Sequence, residues 1–274
     1  MDSSRRAFAD FERTGWEDAG IVAGYDEHLS VVTKQSIPAL LDGAGVFARS
    51  CVLDVATGAG YAAAAAFRRG ADAIGIDFSA AQISLARKRH PVVRFEQADA
   101  ELLPFAPSTF DSVICAFGIC HLPNPDQALR EAHRVLKPGG RVAFSVWDLP
   151  ERAVGVGTVY DAIRAHGSMD VGLPTGPGFF SFSDPEHSIK VLRAAGFASP
   201  IVRQAPQVWQ LDDADSIFDR IAESSVRAGI ALRSQSPTAI VAIRAALRRK
   251  VSEYKRGTHF EVPMPAIVAA AIKP

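Results

Sequence analysis

The sequence predicts an α/β protein built on a doubly wound, Rossmann-like and mostly parallel sheet, and three observations carry that prediction. Short apolar runs alternate with helix-forming segments from about Cys51 to Trp147, the pattern of βα units feeding a parallel sheet. The first run, Cys51 to Val55, passes through Ala56-Thr57-Gly58-Ala59-Gly60 into the alanine-rich stretch Tyr61 to Arg69. A strand, a tight glycine turn and a helix N-terminus thus follow one another, and backbone N–H groups there approach a ligand without side chains in the way. With 274 residues the chain can bury a full α/β core and still carry a cap.

The elements follow in order. After a polar start, Val22 to Leu41 reads as a helix or a pair of helices ending near Gly43 and Gly45. Strands are expected at Cys51 to Val55, Ala73 to Ile76, Val92 to Phe95, Asp111 to Phe117 and Arg141 to Trp147. Helices are expected at Tyr61 to Arg69, Ser79 to Arg89 and Pro125 to Leu136. Their ends carry signals: Ser79 with Gln82 forms a capping box, Asn124 precedes Pro125 at a first helical position, and Gly139-Gly140 follows Lys137-Pro138. Leu149 to Phe182 is rich in glycine and proline and reads as a short helix followed by a loop. A helix starting at Ser183-Asp184-Pro185-Glu186 leads to a strand near Pro200 to Gln204. Two amphipathic stretches, Asp213 to Ala228 and Thr238 to Tyr254, suit a helical cap, and Ala266 to Ile272 reads as a buried strand returning to the sheet.

Composition excludes several function classes. Thirty basic and thirty acidic residues balance, so no overall charge draws the chain to nucleic acid or to an anionic membrane surface. The opening Met1 to Phe8 lacks the apolar core of a signal peptide and no apolar run is long enough to span a bilayer. A cytoplasmic protein is therefore expected. Cys51, Cys115 and Cys120 are odd in number and lack CxxC spacing, which suits reduced structural thiols. His166 and His187 have no metal-ligand spacing around them, and no metal is expected.

The chemistry sits at the strand exits. Gly58-Ala59-Gly60-Tyr61-Ala62-Ala63 satisfies the dinucleotide fingerprint G-x-G-x-x-A, and Asp77 lies at the distance of a ribose-binding acid. Asp54, however, stands inside the first strand, where a dinucleotide-binding strand is usually apolar and a buried carboxylate needs cationic or donor-rich partners. Asp99 and Glu101 follow the third strand. Acids after three successive strands line one crevice, and both cofactor classes remain open on these residues alone.

Five ordered blocks go further. They are Val52-Leu53-Asp54-Val55-Ala56-Thr57-Gly58-Ala59-Gly60, Gly75-Ile76-Asp77-Phe78-Ser79, Ala98 to Phe105, Phe110-Asp111-Ser112-Val113-Ile114, and Arg134-Val135-Leu136-Lys137-Pro138-Gly139-Gly140. With them the chain resembles, from about Tyr25 to Trp147, the class I S-adenosylmethionine-dependent methyltransferases, in the branch that includes the ubiquinone and menaquinone C-methyltransferases. The resemblance implies a seven-stranded sheet whose last strand is antiparallel, with the cap inserted before it. It implies that the turn around Ala56, Thr57, Gly58 and Gly60, behind which Asp54 stands, accommodates the methionine end of the cofactor. Asp77 would bind both ribose hydroxyls, Asp99 the adenine amino group, Phe78 the adenine face and the Ala100 backbone a ring nitrogen. Ala116 and Phe117 would border the methionine, Tyr25 would close the opposite side, and Gln82 would touch the ribose unless it only serves the capping box. Ala56 departs from the glycine common in relatives, and its methyl group is expected to be harmless.

A sulfonium carries its own leaving group, so in-line displacement onto a small organic acceptor asks mainly for orientation and exclusion of water, with S-adenosylhomocysteine as product. His121, after the fourth strand, is the candidate catalytic base, against a plain hydrogen-bonding role. Trp147 is a candidate for substrate binding, or core; Trp16 shields the cofactor or packs a helix. The cations around Arg244 and Arg248 offer an anion site or a solvated helix face. Neither an Asn/Asp-Pro-Pro-aromatic tetrapeptide after the fourth strand nor a Pro-Cys nucleophile is present, which disfavours base methylation.

The expected organisation is residues 1–45, an N-terminal helical segment over the cofactor; 46–148, the core; 149–211, a loop and helix segment returning to the sheet; 212–262, a helical cap; and 263–274, the final strand. A homodimer is compatible with this reading. The alternatives are an NAD(P)-dependent oxidoreductase, and a partner protein that binds S-adenosylmethionine without catalysis.

Overall fold

The polar N-terminal stretch folds as helix. In the computed structural model, which describes residues 3–274, α1 (Ser3–Glu17) is followed by α2 (Ala19–Gly24), one π-helical turn (Tyr25–Leu29), α3 (Ser30–Thr33), a 3-10 turn (Lys34–Ser36) and α4 (Ile37–Gly43). The sequence does not delimit α1 within the expected N-terminal helical segment, because its buried stripe is Phe8, Glu12 and Trp16, a face interrupted by a carboxylate. The expected Val22 to Leu41 segment is helical throughout and runs on to Gly43; its hydrogen-bond pattern changes at the π turn that begins with Tyr25 and at the 3-10 turn Lys34–Ser36.

The core then alternates as read. It runs β1 (Cys51–Val55), α5 (Tyr61–Arg68), β2 (Asp72–Asp77), α6 (Ala80–Arg89), β3 (Arg94–Gln97), β4 (Phe110–Ala116), α7 (Pro125–Val135) and β5 (Leu136–Trp147). Strand β3 starts two residues later than expected: Val92 is exposed, while Val93 packs with Ile83, Ala86 and Phe95 in a small cluster under α5 and α6. After β5 come α8 (Val154–His166), α9 (Pro185–Ala194), β6 (Ala198–Ala205), β7 (Val208–Leu211), α10 (Ser216–Ser224), α11 (Val226–Arg233), α12 (Pro237–Ser252), β8 (Lys255–Arg256), β9 (His259–Pro263) and β10 (Ala266–Ile272). The first amphipathic stretch is therefore two helices, separated where Ser225 is extended (φ −130°). The segment read as wholly helical also carries β8 and β9, which join β7 in a second, three-stranded antiparallel sheet.

The main sheet has seven strands in the order β3-β2-β1-β4-β5-β10-β6. Its first five strands are parallel, and β10 runs antiparallel between β5 and β6, with Ala269 opposite Phe144 on one side and Val202 on the other. Successive residues of a strand face opposite sides. Accordingly Val52, Ile114 and Ala143 pack into one apolar layer with Leu40, Leu41 and Ile163, while Leu53, Val113 and Val142 pack into the other with Leu129 and Leu192. Burial on both faces explains why the central strands are near-continuous apolar runs. All three cysteines are unpaired, and Cys115 and Cys120 are buried. Among the described residues, no helix is long and apolar enough to cross a membrane.

Candidate functional site

The parallel strands deliver their carboxyl ends to one edge, and the crevice there is built first by the β1–α5 turn. Ala56 (φ 53°), Gly58 (φ 53°) and Gly60 (φ 84°) all take the left-handed conformation. Asp54 holds this turn from behind: its Oδ2 accepts from the Thr57 hydroxyl (2.6 Å) and from the Ala63 N–H (2.9 Å) in the first turn of α5. Its partners are thus donors rather than a cation, and its Oδ1 accepts no hydrogen bond. Burial outweighs the two donors and pushes the Asp54 carboxyl up to about 7. Asp54 lines no part of the cleft in front of the turn.

The two glycines do different work. A Cβ on Gly60 would come within 2.5 Å of the Phe95 ring, so this residue lets α5 and β3 close together, whereas a Cβ on Gly58 would meet only Gln82 Oε1, at 3.7 Å. Ala56 is not neutral, contrary to the expectation of a harmless methyl. A left-handed alanine costs about 1–2 kcal/mol, and its methyl fits only because Gly118 has no side chain: a Cβ there would lie 2.5 Å away.

Asp77, at the end of β2, faces the same turn. Its Oδ2 accepts from the Gly58 N–H (2.9 Å) and its Oδ1 from the Ser79 N–H (3.0 Å). Burial outweighs those donors and raises the carboxyl to about 6. Because Asp77 takes the Ser79 N–H, the capping box is one-sided: Ser79 Oγ accepts from the Gln82 N–H (3.1 Å) and donates to the Trp16 carbonyl (2.7 Å), and the Gln82 side chain lines the cleft.

The cleft has two lobes. The main one, about 800 Å³, lies between the turn (Ala56, Thr57, Gly58), Asp77, Phe78 and Gln82 on the sheet side and Trp16, Tyr25, Thr33, Lys34 and Ile37 of the N-terminal layer, with Phe117, Gly118 and His121 at its end. The second, about 640 Å³, runs between Phe78, Asp99, Ala100 and Glu101 and the α1 residues Ala9, Glu12 and Arg13. Both lobes share Ala56, Asp77, Phe78, His121 and Leu122. Asp99 accepts from the Glu101 N–H (2.8 Å), and the Arg13 guanidinium lies 5.4 Å from the centre of the Phe78 ring. Tyr25 meets Trp16 edge-on at 5.4 Å, and burial raises its phenol pKa despite a hydrogen bond with Thr33.

The cover is locked by Glu12. This buried carboxylate takes His121 Nδ1 (2.9 Å) and Trp16 Nε1 (3.1 Å) on Oε2, and Arg227 Nε (2.5 Å) on Oε1. Arg227 also donates to the carbonyls of Cys120 (2.7 Å) and Pro177 (3.1 Å) and stacks 4.5 Å above Phe8. One guanidinium thus joins α1, the loop after β4, the Gly/Pro-rich loop and α11. Burial would raise the Glu12 pKa, but His121 and Arg227 hold it below its ordinary value; burial would lower that of His121, but Cys120 and Glu12 outweigh it and raise it. The imidazole therefore enters the site as one half of an ion pair.

Trp147 lines neither lobe. It is buried, stacks on Phe117 with centroids 4.4 Å apart, and pairs with Ala266 in the sheet. Arg244 stacks on Phe218 and pairs with Asp219, and Arg248 lies 3.4 Å from Asp215, so these two cations are paired on a helix face outside the cleft. Among the described residues, no three or more His, Cys, Asp or Glu side chains gather as metal ligands. Glu12, Arg13, Thr33, Lys34 and Arg227 were not anticipated; only the i, i+4, i+8 spacing of Phe8, Glu12 and Trp16 signals that α1 has an inner face.

Comparison with known proteins agrees with this geometry. A family model described as a methyltransferase domain matches residues 53–144. The chain is 42% identical over 129 residues to the ubiquinone/menaquinone biosynthesis C-methyltransferase UbiE of Bartonella henselae, covering 43% of this chain and 49% of that protein. It is 34% identical over 163 residues to the demethylmenaquinone methyltransferase of Deinococcus radiodurans, covering 53% of this chain and 67% of that one. The alignment with relatives such as the Bartonella protein thus spans about half of their length. The YcgJ protein of Bacillus subtilis shares the fold, with a TM-score of 0.56 at 22% identity over 87% of this chain and 97% of that one. The glycine turn, the acids at the strand exits and these matches together place the chain in the class I S-adenosylmethionine-dependent methyltransferases, in the branch of the ubiquinone and menaquinone C-methyltransferases.

Proposed function

We propose that the protein transfers the methyl group of S-adenosylmethionine to a small organic acceptor and releases S-adenosylhomocysteine. The observation that carries this reading is the hydrogen bond from the Gly58 N–H to Asp77 Oδ2, which joins the turn after β1 and the acid after β2 into one wall of one cleft. The residues present fit the cofactor. Each Asp77 oxygen accepts one protein hydrogen bond and retains a lone pair for a ribose hydroxyl. The Phe78, Asp99 and Ala100 lobe offers a ring face, a carboxylate and a backbone to an adenine, and Gly58 leaves its side of the turn open.

When bound, S-adenosylmethionine supplies an electrophilic methyl group on a cationic sulfur. The protein's part is then to orient the acceptor and exclude water. Trp16, Tyr25 and Ile37 give the main lobe an apolar wall that suits an uncharged ring acceptor, in line with the names of the quinone-directed relatives. Tyr25 keeps its proton near neutral pH. His121, paired with Glu12, is better suited to donate from its imidazolium than to act as a free base. In this reading Trp147 acts on the cleft only by bracing Phe117. A cytoplasmic setting belongs to the same proposal and suits three unpaired thiols.

The sheet order argues against the dinucleotide alternative, which would continue 3-2-1-4-5-6 in parallel, whereas here an antiparallel strand enters beside β5. Calorimetry separates the two. S-adenosylhomocysteine should bind and NADH should not; tight NADH binding without a response to the sulfur compound would overturn the proposal. S-adenosylhomocysteine release in a metabolite screen then tests turnover, and binding without turnover on any acceptor would favour the non-catalytic reading.

A further inference from the structure

We propose that Lys34 holds the carboxylate at the amino-acid end of S-adenosylmethionine, an inference that rests on the methyl-transfer reading. Lys34 opens the 3-10 turn before α4, is half-buried, and lines the main lobe but not the second. Its ammonium lies 4.4 Å from the centre of the Tyr61 ring, whose face holds a cation without neutralising it. Asp26, in an adjoining pocket that Lys34 and Tyr61 also line, accepts from the Tyr61 hydroxyl (2.7 Å) and pairs with Arg89.

The other cations around the cleft either lie outside the main lobe or are paired. Arg13 faces the Phe78 ring in the second lobe, and His121 is paired with Glu12. Among the described residues lining the main lobe, Lys34 is the cationic side chain without a carboxylate partner. With Asp77 and the second lobe taking the adenosyl part, the amino-acid end extends past the glycine turn, where Tyr61 and Ala62 line the wall beside Lys34. A carboxylate entering an apolar cleft needs a counter-charge there.

Calorimetry on the full chain tests this with a cycle of variant and ligand. Lys34→Met keeps most of the aliphatic stem over Tyr61 and should weaken S-adenosylhomocysteine binding about tenfold. It should leave binding of decarboxylated S-adenosylhomocysteine unchanged. Lys34→Arg, which keeps the charge, should retain affinity within about threefold of the wild type. Equal loss for both ligands in Lys34→Met, or loss for neither, would overturn the assignment, and so would an Arg variant as weak as the Met variant. A wild-type chain that binds neither compound would instead reject the methyl-transfer reading. Melting curves of both variants identify any loss that comes from misfolding.

Discussion

The floor of the cleft and its cover differ in how far along the chain their bonds reach. On the floor, Thr57 bonds Asp54 across 3 positions, Ala63 bonds Asp54 across 9, and Gly58 bonds Asp77 across 19. On the cover, His121 meets Glu12 across 109 positions, and Arg227 meets Glu12 across 215. The floor is therefore a local βαβ property that the strand pairing stabilises. The cover depends on one buried carboxylate that holds two donors from distant segments, His121 and Arg227, and a third from its own helix, so a single change should release it while the sheet stays folded.

Four substitutions break or sharpen that contrast. Glu12→Ala leaves His121 and Arg227 without their buried partner, which costs about 3–5 kcal/mol when such a pair is broken. Amide exchange should accelerate through α1 and the Gly/Pro-rich loop while β1, β4 and β5 stay protected, and equal loss in the sheet would break the contrast. The pH window of the wild-type latch follows from the two shifts. Glu12, held below its ordinary 4.5, contributes stability that is present above that value and lost as pH falls through its lowered pKa. His121, raised above 6.5, contributes stability present below that value and lost as pH rises through its raised pKa.

On the floor, Asp77→Ala removes two acceptor oxygens. At about 1.5 kcal/mol or more for each charge-assisted hydrogen bond, affinity for S-adenosylhomocysteine should fall about 100-fold or more by calorimetry. Because burial raises Asp77 to about 6, wild-type affinity should also decline as pH falls through that value and the carboxylate is protonated. The same raised pKa means that the folding stability tied to Asp77 is full below its ordinary 3.8 and is lost as pH rises through about 6. Binding and stability should therefore respond to pH in opposite directions, which a paired titration and melting series would check.

Gly60→Ala would set a methyl against the Phe95 ring in a left-handed conformation, and overpacking of this kind costs about 1–3 kcal/mol. Denaturant unfolding should show that loss with the latch intact. The smallest effect is expected from Ala56→Gly, which relieves the left-handed alanine and should raise stability by under about 1 kcal/mol. A drop in stability would show that the methyl's contact with the Gly118 backbone outweighs the strain.

What could be read in advance follows the same division. The β1 to β5 alternation was legible because each strand is a short apolar run with turn chemistry beside it, and the glycine turn with Asp77 was legible from spacing alone. The β3 start was displaced because Val92 and Val93 look alike in sequence, and only the α5–α6 layer decides which is buried. The β7, β8 and β9 sheet was missed because its short strands lie beside helical segments without an alternating run of their own. Glu12 and Arg227 were invisible for another reason: a carboxylate on one helix and a guanidinium on another each read as ordinary surface charge until the fold brings them together.

The amino-acid sequence by itself determined the doubly wound core, the turn at Gly58 and Gly60 and the acids at the strand exits, because period, propensity and turn chemistry act over a few residues. Only the tertiary structure decided that Glu12 ties α1 to α11, that His121 is an ion-pair partner, that Trp147 is core and that Lys34 faces the cleft. Those outcomes depend on which distant charges and rings become neighbours once water is excluded, and that is a property of the packed chain.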